Sequence, residues 1–228
     1  MNSDKDIVIT SAFRTPIGSF QGSLKDHKAT ELGTAVVKKC MEHSNLNGSE
    51  VDTVILGQVL QTGCGQNPAR QAAINSGIDK DKTATTINQV CGSGLAAITL
   101  GFNSLKLNDT NIVIAGGQES MTNSPHYLNY RIEKNLSEEK LKDSMLIDGL
   151  IDAYDNYHMG VTAENVAEKY QITRNDQDSF AFNSQKKAIK AISENKFKEE
   201  IVPIKLKDQK FFDKDEYPRS DTNLEKLS

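Results

Sequence analysis

The residue of this chain best suited to chemistry is a cysteine between a strand-like run and a glycine-rich turn. The run TATTINQV leads into Cys91, which is followed by Gly-Ser-Gly and then by an apolar helical pattern. This order predicts a thiol at the N-terminus of a helix, where unpaired backbone N–H groups and the helix dipole favour the nucleophilic thiolate. Gly92 and Gly94 leave room for a bulky substrate to reach the sulfur.

The alternative for Cys91 is an inert, buried thiol that behaves as a small hydrophobe. Cys40 fits that description because it lies in the amphipathic run TELGTAVVKKCMEH, whereas Cys64 stands between two glycines just before another helical segment. Three cysteines without a CxxC pair argue against a zinc site, and the odd number argues against a full disulfide framework. Local sequence alone supports the two descriptions of Cys91 about equally.

Composition and charge narrow the class of protein. The 228 residues are 37% hydrophobic and 25% charged, with a formal net charge of −4. This charge gives no reason to expect nucleic acid or an anionic membrane as a partner. Because thiols are few and no signal peptide or run of ~20 apolar residues is present, we expect a cytoplasmic protein without membrane spans.

Strand and helix patterns alternate through residues 1–120. The strand-like runs are DIVITSAF, VDTVILGQVL, TATTINQV and NIVIAGG. Between them lie three helical runs: DHKATELGTAVVKKCMEHSN, NPARQAAINSG with Pro68 near its first turn, and GSGLAAITLGFNSLKLN. This alternation predicts an α/β core domain at residues 1–120, with a mostly parallel sheet that carries helices on both faces.

Residues 121–228 have a different pattern, which predicts a second, helical loop domain. Charge is concentrated here: residues 126–228 hold 17 Lys/Arg and 20 Asp/Glu, against 10 and 11 in residues 1–125. Two helical runs, TAENVAEKY with Thr162 as its cap and RNDQDSFAFNSQKKAIKAISENK, precede the strand-like EIVPIKLK. The sequence ends at NLEKLS inside a helix-like pattern without a C-cap, so we expect this domain to be truncated.

Seven segments, taken in order, resemble the motifs of the thiolase family. They are SAFRTPIGSFQGSL, GQNPARQAA, INQVCGSGLAAI, IAGGQESMTNSPH, YHMGVTAENVAEKY, EEIVPI and DEYPRSDTNLEKL. Each segment alone is a weak signal, but seven in family order cover nearly the whole chain and are highly specific. The runs YHMGVTAEN and NPARQAA argue against two relatives in the same superfamily, the ketoacyl-carrier-protein synthases and the hydroxymethylglutaryl-CoA synthases. Neither IAGGQES nor CGSGLAA contains GxGxxG, so we discount a nicotinamide site.

The resemblance implies a reaction and a set of site residues. The family's nucleophile falls on Cys91, whose thiolate would accept an acetyl group from acetyl-CoA before a second acetyl-CoA attacks it and gives acetoacetyl-CoA. CoA thioesters would be the substrates, with no separate cofactor and no metal. His158 and Met159 match residues that line the acyl pocket, and Arg219 matches a position near the nucleotide end of CoA. The alternatives are a histidine satisfied within a loop and an exposed arginine on a charged tail.

The groups that assist the nucleophile in the family do not occur in this sequence. Thiolases have a second half with a histidine in a GHP-type motif and a second cysteine in a CGGGG-like motif. The resemblance therefore implies that this C-terminal half is absent. Two hypotheses follow: part of a thiolase whose missing groups come from a complementing half, or a non-catalytic remnant that binds CoA or a partner. Residues 120–150 resemble the loop that forms tetramers in the family, so a homo-oligomer, dimer or tetramer, is also expected.

Overall fold

The α/β core consists of three parallel strands and three helices. The computed structural model describes residues 6–132, 134 and 137–227. The order along the core is α1 (Ala29–His43), β1 (Thr53–Gly57), α2 (Pro68–Asn75), β2 (Thr83–Ile87), α3 (Ser93–Lys106) and β3 (Val113–Gly117). The strands form one sheet in the order β2-β1-β3, and both pairings are parallel. The predicted α/β class and the parallel sheet are confirmed.

The central strand β1 is buried along its whole length, because helices cover both faces of the sheet. Val54 and Leu56 point to one face, where they join a core with side chains from α1 and α2. Residues on the opposite face alternate with these, and there α3 packs on β3 so closely that a Cβ at Gly101 would lie 3.0 Å from the side chain of Val113. Helices therefore lie on both faces, as the alternation predicts.

The remaining residues form short strands and helices. They are β4 (His126–Tyr127), β5 (Lys142–Asp143), a π-helix (Leu146–Leu150), α4 (Met159–Lys169), α5 (Arg174–Ser193), β6 (Ile204–Lys205), β7 (Phe211–Phe212) and α6 (Leu224–Leu227), with 3₁₀ turns at Met121–Asn123 and Glu138–Lys140. The pairs β4–β5 and β6–β7 are antiparallel. Neither α4 nor α5 has a buried residue.

A second, smaller core joins the two ends of the chain. Leu24, Leu32 of α1 and Ile204 of β6 are buried together, and Phe212 of β7 packs against them. The hairpin β6–β7 therefore lies on the N-terminal part of the chain, although some 170 residues separate these contacts in sequence. The segment that includes Arg219 follows β7 directly and so begins at this core.

Two expectations about elements are wrong. The predicted strand at residues 6–13 is not formed: within the described ranges this segment has no strand partner, and Val8 and Ile9 are 71% and 82% exposed. An extended run becomes a strand only where a neighbour satisfies its backbone groups. Thr162 does not cap α4 but lies inside it, because the helix begins at Met159 and the His158 side chain accepts the N–H of Gly160.

Candidate active site

Cys91 lies on the tight turn that joins β2 to α3. The strand ends at Ile87, the helix begins at Ser93, and Gly92 occupies the N-cap position. Cys91 is exposed, whereas Cys40 and Cys64 are half-buried. The structure thus places the thiol next to the positive end of the helix dipole and open to solvent, as the sequence predicts.

The turn before Cys91 is held in a strained conformation. Val90 has a φ of 48°, in the left-handed region that β-branched residues rarely occupy. The hydroxyl of Ser93 accepts a hydrogen bond from the backbone N–H of Gln89 at 2.8 Å and donates one to the carbonyl of Val90 at 2.6 Å. Ser93 is buried, so these bonds are sheltered from water. Neither the strain nor the role of Ser93 was predicted from the sequence, and only the small-residue run CGSG pointed to this turn.

The first turn of α3 lies directly against the C-terminal end of β1. A Cβ at Gly57 would lie 2.5 Å from the Cβ of Ser93 and 2.9 Å from the N of Gly94. Gly117, at the end of β3, approaches the same turn, since its Cβ would lie 3.5 Å from the Cα of Gly94. Glycine is therefore required at position 57 so that the helix carrying the thiol can reach the edge of the sheet.

The segment NPARQAA braces the strand that leads to Cys91. Asn67 precedes α2 and accepts hydrogen bonds from the hydroxyl of Thr86 at 2.8 Å and from the N–H of Arg70 at 3.2 Å. Its amide nitrogen donates to the carbonyl of Ala84 at 2.9 Å. Since Ala84 and Thr86 belong to β2, Asn67 joins the N-terminus of α2 to that strand. The segment therefore has a structural role beside the strand that leads to Cys91.

The loop that follows β1 is held by a half-buried carboxylate from the loop after β3. Glu119 accepts the backbone N–H groups of Val59 at 2.8 Å and Leu60 at 3.3 Å. Burial raises the pKa of Glu119, although these hydrogen bonds oppose the rise. The side-chain amide of the preceding residue, Gln118, donates a hydrogen bond to the side-chain oxygen of Gln58 at 2.8 Å, and this bond is buried. These contacts fix the loop beside the Cys91 turn.

The same loop contacts the π-helix and, through it, the start of α4. Thr62 donates a hydrogen bond to Asp148 at 3.2 Å, and Gly149 packs on Leu60, where a Cβ would lie 3.3 Å away. A β-bridge joins Ile151, just after the π-helix, to His158. The position of His158 is therefore coupled by short contacts to the loop at the end of β1.

His158, Met159 and Arg219 all lie on exposed surfaces. His158 is the N-cap of α4, and its Nδ1 accepts the N–H of Gly160 at 3.0 Å; Met159, the first helical residue, is 47% exposed. The backbone N–H of Arg219 donates to Gln185 of α5 at 2.7 Å. Within the described part of the chain, no hydrogen bond or ion pair joins Cys91 to His158 or Arg219, so their predicted shared site remains a prediction.

The side chains and helices of residues 6–132, 134 and 137–227 bear on metal binding and on membrane insertion. None of these residues forms a group of three or more His, Cys, Asp or Glu side chains that could hold a metal ion. None of the helices in these ranges has the length and apolar character needed to cross a membrane.

The fold and the turn define an α/β protein with an exposed cysteine, Cys91, just before α3, a helix that packs on the parallel sheet. The family described as the thiolase N-terminal domain matches residues 7–228. The chain belongs to the thiolase family.

Curated relatives match the chain along almost its whole length. The acetyl-CoA acetyltransferase of Pseudomonas aeruginosa is 49% identical over 229 residues, which cover 98% of this chain and 58% of the relative. A probable acetyl-CoA acetyltransferase of Escherichia coli K12 is 49% identical, with the same coverage of both chains. A probable acetyl-CoA acyltransferase of Staphylococcus epidermidis is 48% identical over 97% of this chain and 58% of the relative. The chain thus spans less than two thirds of the length of each relative.

Proposed function

We propose that this chain carries the nucleophile of a thiolase-type acyltransferase, an acetyl-CoA C-acetyltransferase that condenses two acetyl-CoA into acetoacetyl-CoA and CoA, or catalyses the reverse thiolysis. The single observation that carries the proposal is the placement of Cys91, exposed on a braced turn just before α3. The names of relatives that are 48–49% identical support the choice of acetyl-CoA as the substrate.

The proposed reaction has two acyl transfers through Cys91. Its thiolate attacks the thioester carbonyl of acetyl-CoA, the C–S bond to CoA breaks, and CoA leaves as a thiolate that takes up a proton. The methyl group of a second acetyl-CoA then loses a proton, and its carbanion attacks the acyl-cysteine, so that acetoacetyl-CoA forms and the Cys91 thiolate is released. The N-terminus of α3 favours the negative charge that develops at each step.

The structure supports a donor role for His158 in this scheme. Because Nδ1 accepts the N–H of Gly160, the neutral imidazole carries its proton on Nε2. That N–H is suited to donate to a thioester carbonyl, while the adjacent Met159 offers an adaptable apolar surface for a short acyl chain. Arg219 supplies the guanidinium that we assign to the phosphates of CoA.

The proposed activity needs proton-transfer groups that these residues do not include. The four histidines are His27, His43, His126 and His158, and none stands in a GHP-type motif. We propose that the base and the second cysteine come from a complementing C-terminal thiolase half. We also propose that the segment around β4 and β5 contributes to a homodimer or homotetramer. The second candidate function is a non-catalytic subunit that binds CoA or a partner.

The test is thiolysis of acetoacetyl-CoA by the chain, with and without the remaining part of the Pseudomonas aeruginosa relative. We expect activity only in the complemented sample, and a loss of at least about 1,000-fold in the Cys91→Ser variant. Cys40→Ser is the matched control and should keep the activity. An inactive complemented wild type contradicts the proposed enzyme. If that sample still binds CoA, the non-catalytic candidate stands instead.

A further inference from the structure

Arg14 forms a network that joins the N-terminal segment to the chain after β7. Its guanidinium donates to both carboxylate oxygens of Asp215, at 2.7 and 3.0 Å, and its Nε donates to Glu200 at 2.6 Å. The carbon at the centre of the guanidinium lies 5.2 Å from the centre of the Phe197 ring. The paired, planar geometry with Asp215 is one that arginine forms and lysine cannot.

The neighbour of Asp215 makes a second set of bonds to the same part of the chain. Glu216 accepts the backbone N–H of Ser19 at 2.6 Å and also bonds the backbone and hydroxyl of Ser23. The backbone is paired too, since the N–H of Glu216 donates to the carbonyl of Ile17 at 3.0 Å. Two consecutive acidic residues are thus held against residues 14–23.

The side chains of the Arg14–Asp215 pair are less exposed to solvent than those of an ordinary surface ion pair, such as the one between Lys190 and Glu194. The side chains are 29% and 9% exposed, while those of Lys190 and Glu194 are 72% and 42% exposed. Burial alone would raise the pKa of Asp215, but the hydrogen bonds from Arg14 and from the N–H of Ile17 outweigh it and lower the pKa. A pair in this setting restrains its segment more firmly than a solvated surface pair does.

Arg219 lies only three residues beyond Glu216, and it is held from the other side. Its backbone N–H donates to Gln185 of α5 at 2.7 Å, and α6, which follows, packs on α5. The segment 215–219 is therefore anchored at its beginning to residues 14–23 and at its end to α5. The position of the Arg219 side chain therefore depends on both anchors, because they hold the backbone from which it extends.

We propose that Arg14 is a positioning residue: its pair with Asp215 sets the backbone that presents Arg219 to the phosphate-bearing nucleotide end of CoA. The inference rests on the proposed function, in which Arg219 binds that end of the substrate. It assigns a substrate-binding consequence to the segment SAFRTPIGS, which lies some 200 residues away from Arg219 in sequence. Arg14 itself does not touch the reacting atoms in this proposal.

The test compares two substrate pairs in the complemented protein: acetoacetyl-CoA with CoA as the acceptor thiol, and acetoacetyl-pantetheine with pantetheine as the acceptor thiol, a pair that lacks the nucleotide. For Asp215→Asn we expect KM for acetoacetyl-CoA to rise about tenfold with kcat changed less than about twofold, because only binding energy remote from the thioester is lost. Both constants for acetoacetyl-pantetheine should stay within about twofold of wild type. Asp178→Asn, which removes the ion-pair partner of Arg174 on α5, is the matched control and should leave KM and kcat for both substrates unchanged.

Arg14→Lys keeps the charge but loses the paired geometry, so we expect an intermediate KM for acetoacetyl-CoA. Amide hydrogen exchange of the isolated chain should show faster exchange at residues 215–219 in Asp215→Asn than in Asp178→Asn. Equal losses for the two substrates, or an unchanged KM together with unchanged exchange, would overturn the inference. A complemented wild type without thiolysis contradicts the proposed function instead, and the exchange measurement then decides the anchoring by itself.

Discussion

The hydroxyl of Ser93, the first residue of α3, accepts the backbone N–H of Gln89 at 2.8 Å and so closes the turn that carries Cys91. The same hydroxyl donates to the carbonyl of Val90, whose φ of 48° is the strained point of the turn. One buried side chain therefore pairs the N–H of Gln89 and adds a second hydrogen bond to the carbonyl of Val90, which also accepts the backbone N–H of Ser93 at 3.1 Å. The conformation of the turn that carries Cys91 therefore depends on Ser93.

Replacing this hydroxyl tests its importance for the turn. We expect Ser93→Ala to lower the free energy of unfolding by about 1–3 kcal/mol, because the N–H of Gln89 loses its acceptor in a sheltered position. Urea unfolding followed by circular dichroism measures the change. Ser193→Ala is the control, since that hydroxyl bonds a carbonyl on the exposed end of α5 and its loss should cost less than about 0.5 kcal/mol. Equal effects of the two variants would contradict the role of Ser93.

The close approach of β1 to α3 makes a second prediction. A methyl group at Gly57 would lie 2.5 Å from the Cβ of Ser93, so Gly57→Ala must push the start of α3 away from the sheet. We expect a destabilisation of about 1–3 kcal/mol and a smaller difference between the rates at which iodoacetamide alkylates the exposed Cys91 and the half-buried Cys40. Gly116→Ala is the control, because nothing lies within 4 Å of its Cβ position. Thermal unfolding and peptide mapping after iodoacetamide treatment report both effects, and a fully stable Gly57→Ala would refute this packing.

The ion pair of Asp215 predicts a pH dependence of stability. Its pKa in the folded state lies below 3.8, so the pair contributes stability that is fully present above that value and is lost as the pH falls through the folded pKa. The difference in free energy of unfolding between wild type and Asp215→Asn should therefore be constant from about pH 5 to 7 and shrink below about pH 4. Denaturant unfolding across this range measures it. A stability difference between the two proteins that grows as the pH falls would contradict this prediction.

Much of the core follows from the sequence because its signals are local. A continuous apolar run predicts β1, and strand-like runs predict β2 and β3. Pro68 indicates the start of α2, where the structure places it in the first turn. The thiol at the N-terminus of α3 was also predicted, since a strand-like run followed by CGSG and an apolar helix leaves little choice of topology. Patterns of this kind need no knowledge of distant residues.

The parts that could not be predicted depend on contacts between distant residues. Whether residues 6–13 pair as a strand is decided by the availability of a neighbour, which no local pattern reveals. The pairing of Arg14 with Asp215 spans 201 residues, and the contact of Gly57 with Ser93 depends on how closely α3 packs on the sheet. The cap of α4 is His158 and not the predicted Thr162, because the ring Nδ1 of His158 accepts the N–H of Gly160 at the start of the helix.

The central claim is that Cys91 accepts the acyl group, and the most direct measurement is mass spectrometry of the complemented protein after brief exposure to acetyl-CoA and acid quenching. We predict one acetyl group per chain on the peptide that contains Cys91, removable by hydroxylamine, with release of free CoA. Cys91→Ser should carry no hydroxylamine-labile acetyl group, while Cys40→Ser should be labelled like wild type. Labile acetyl on Cys64 or Cys40, or undiminished labelling in Cys91→Ser, would contradict the account.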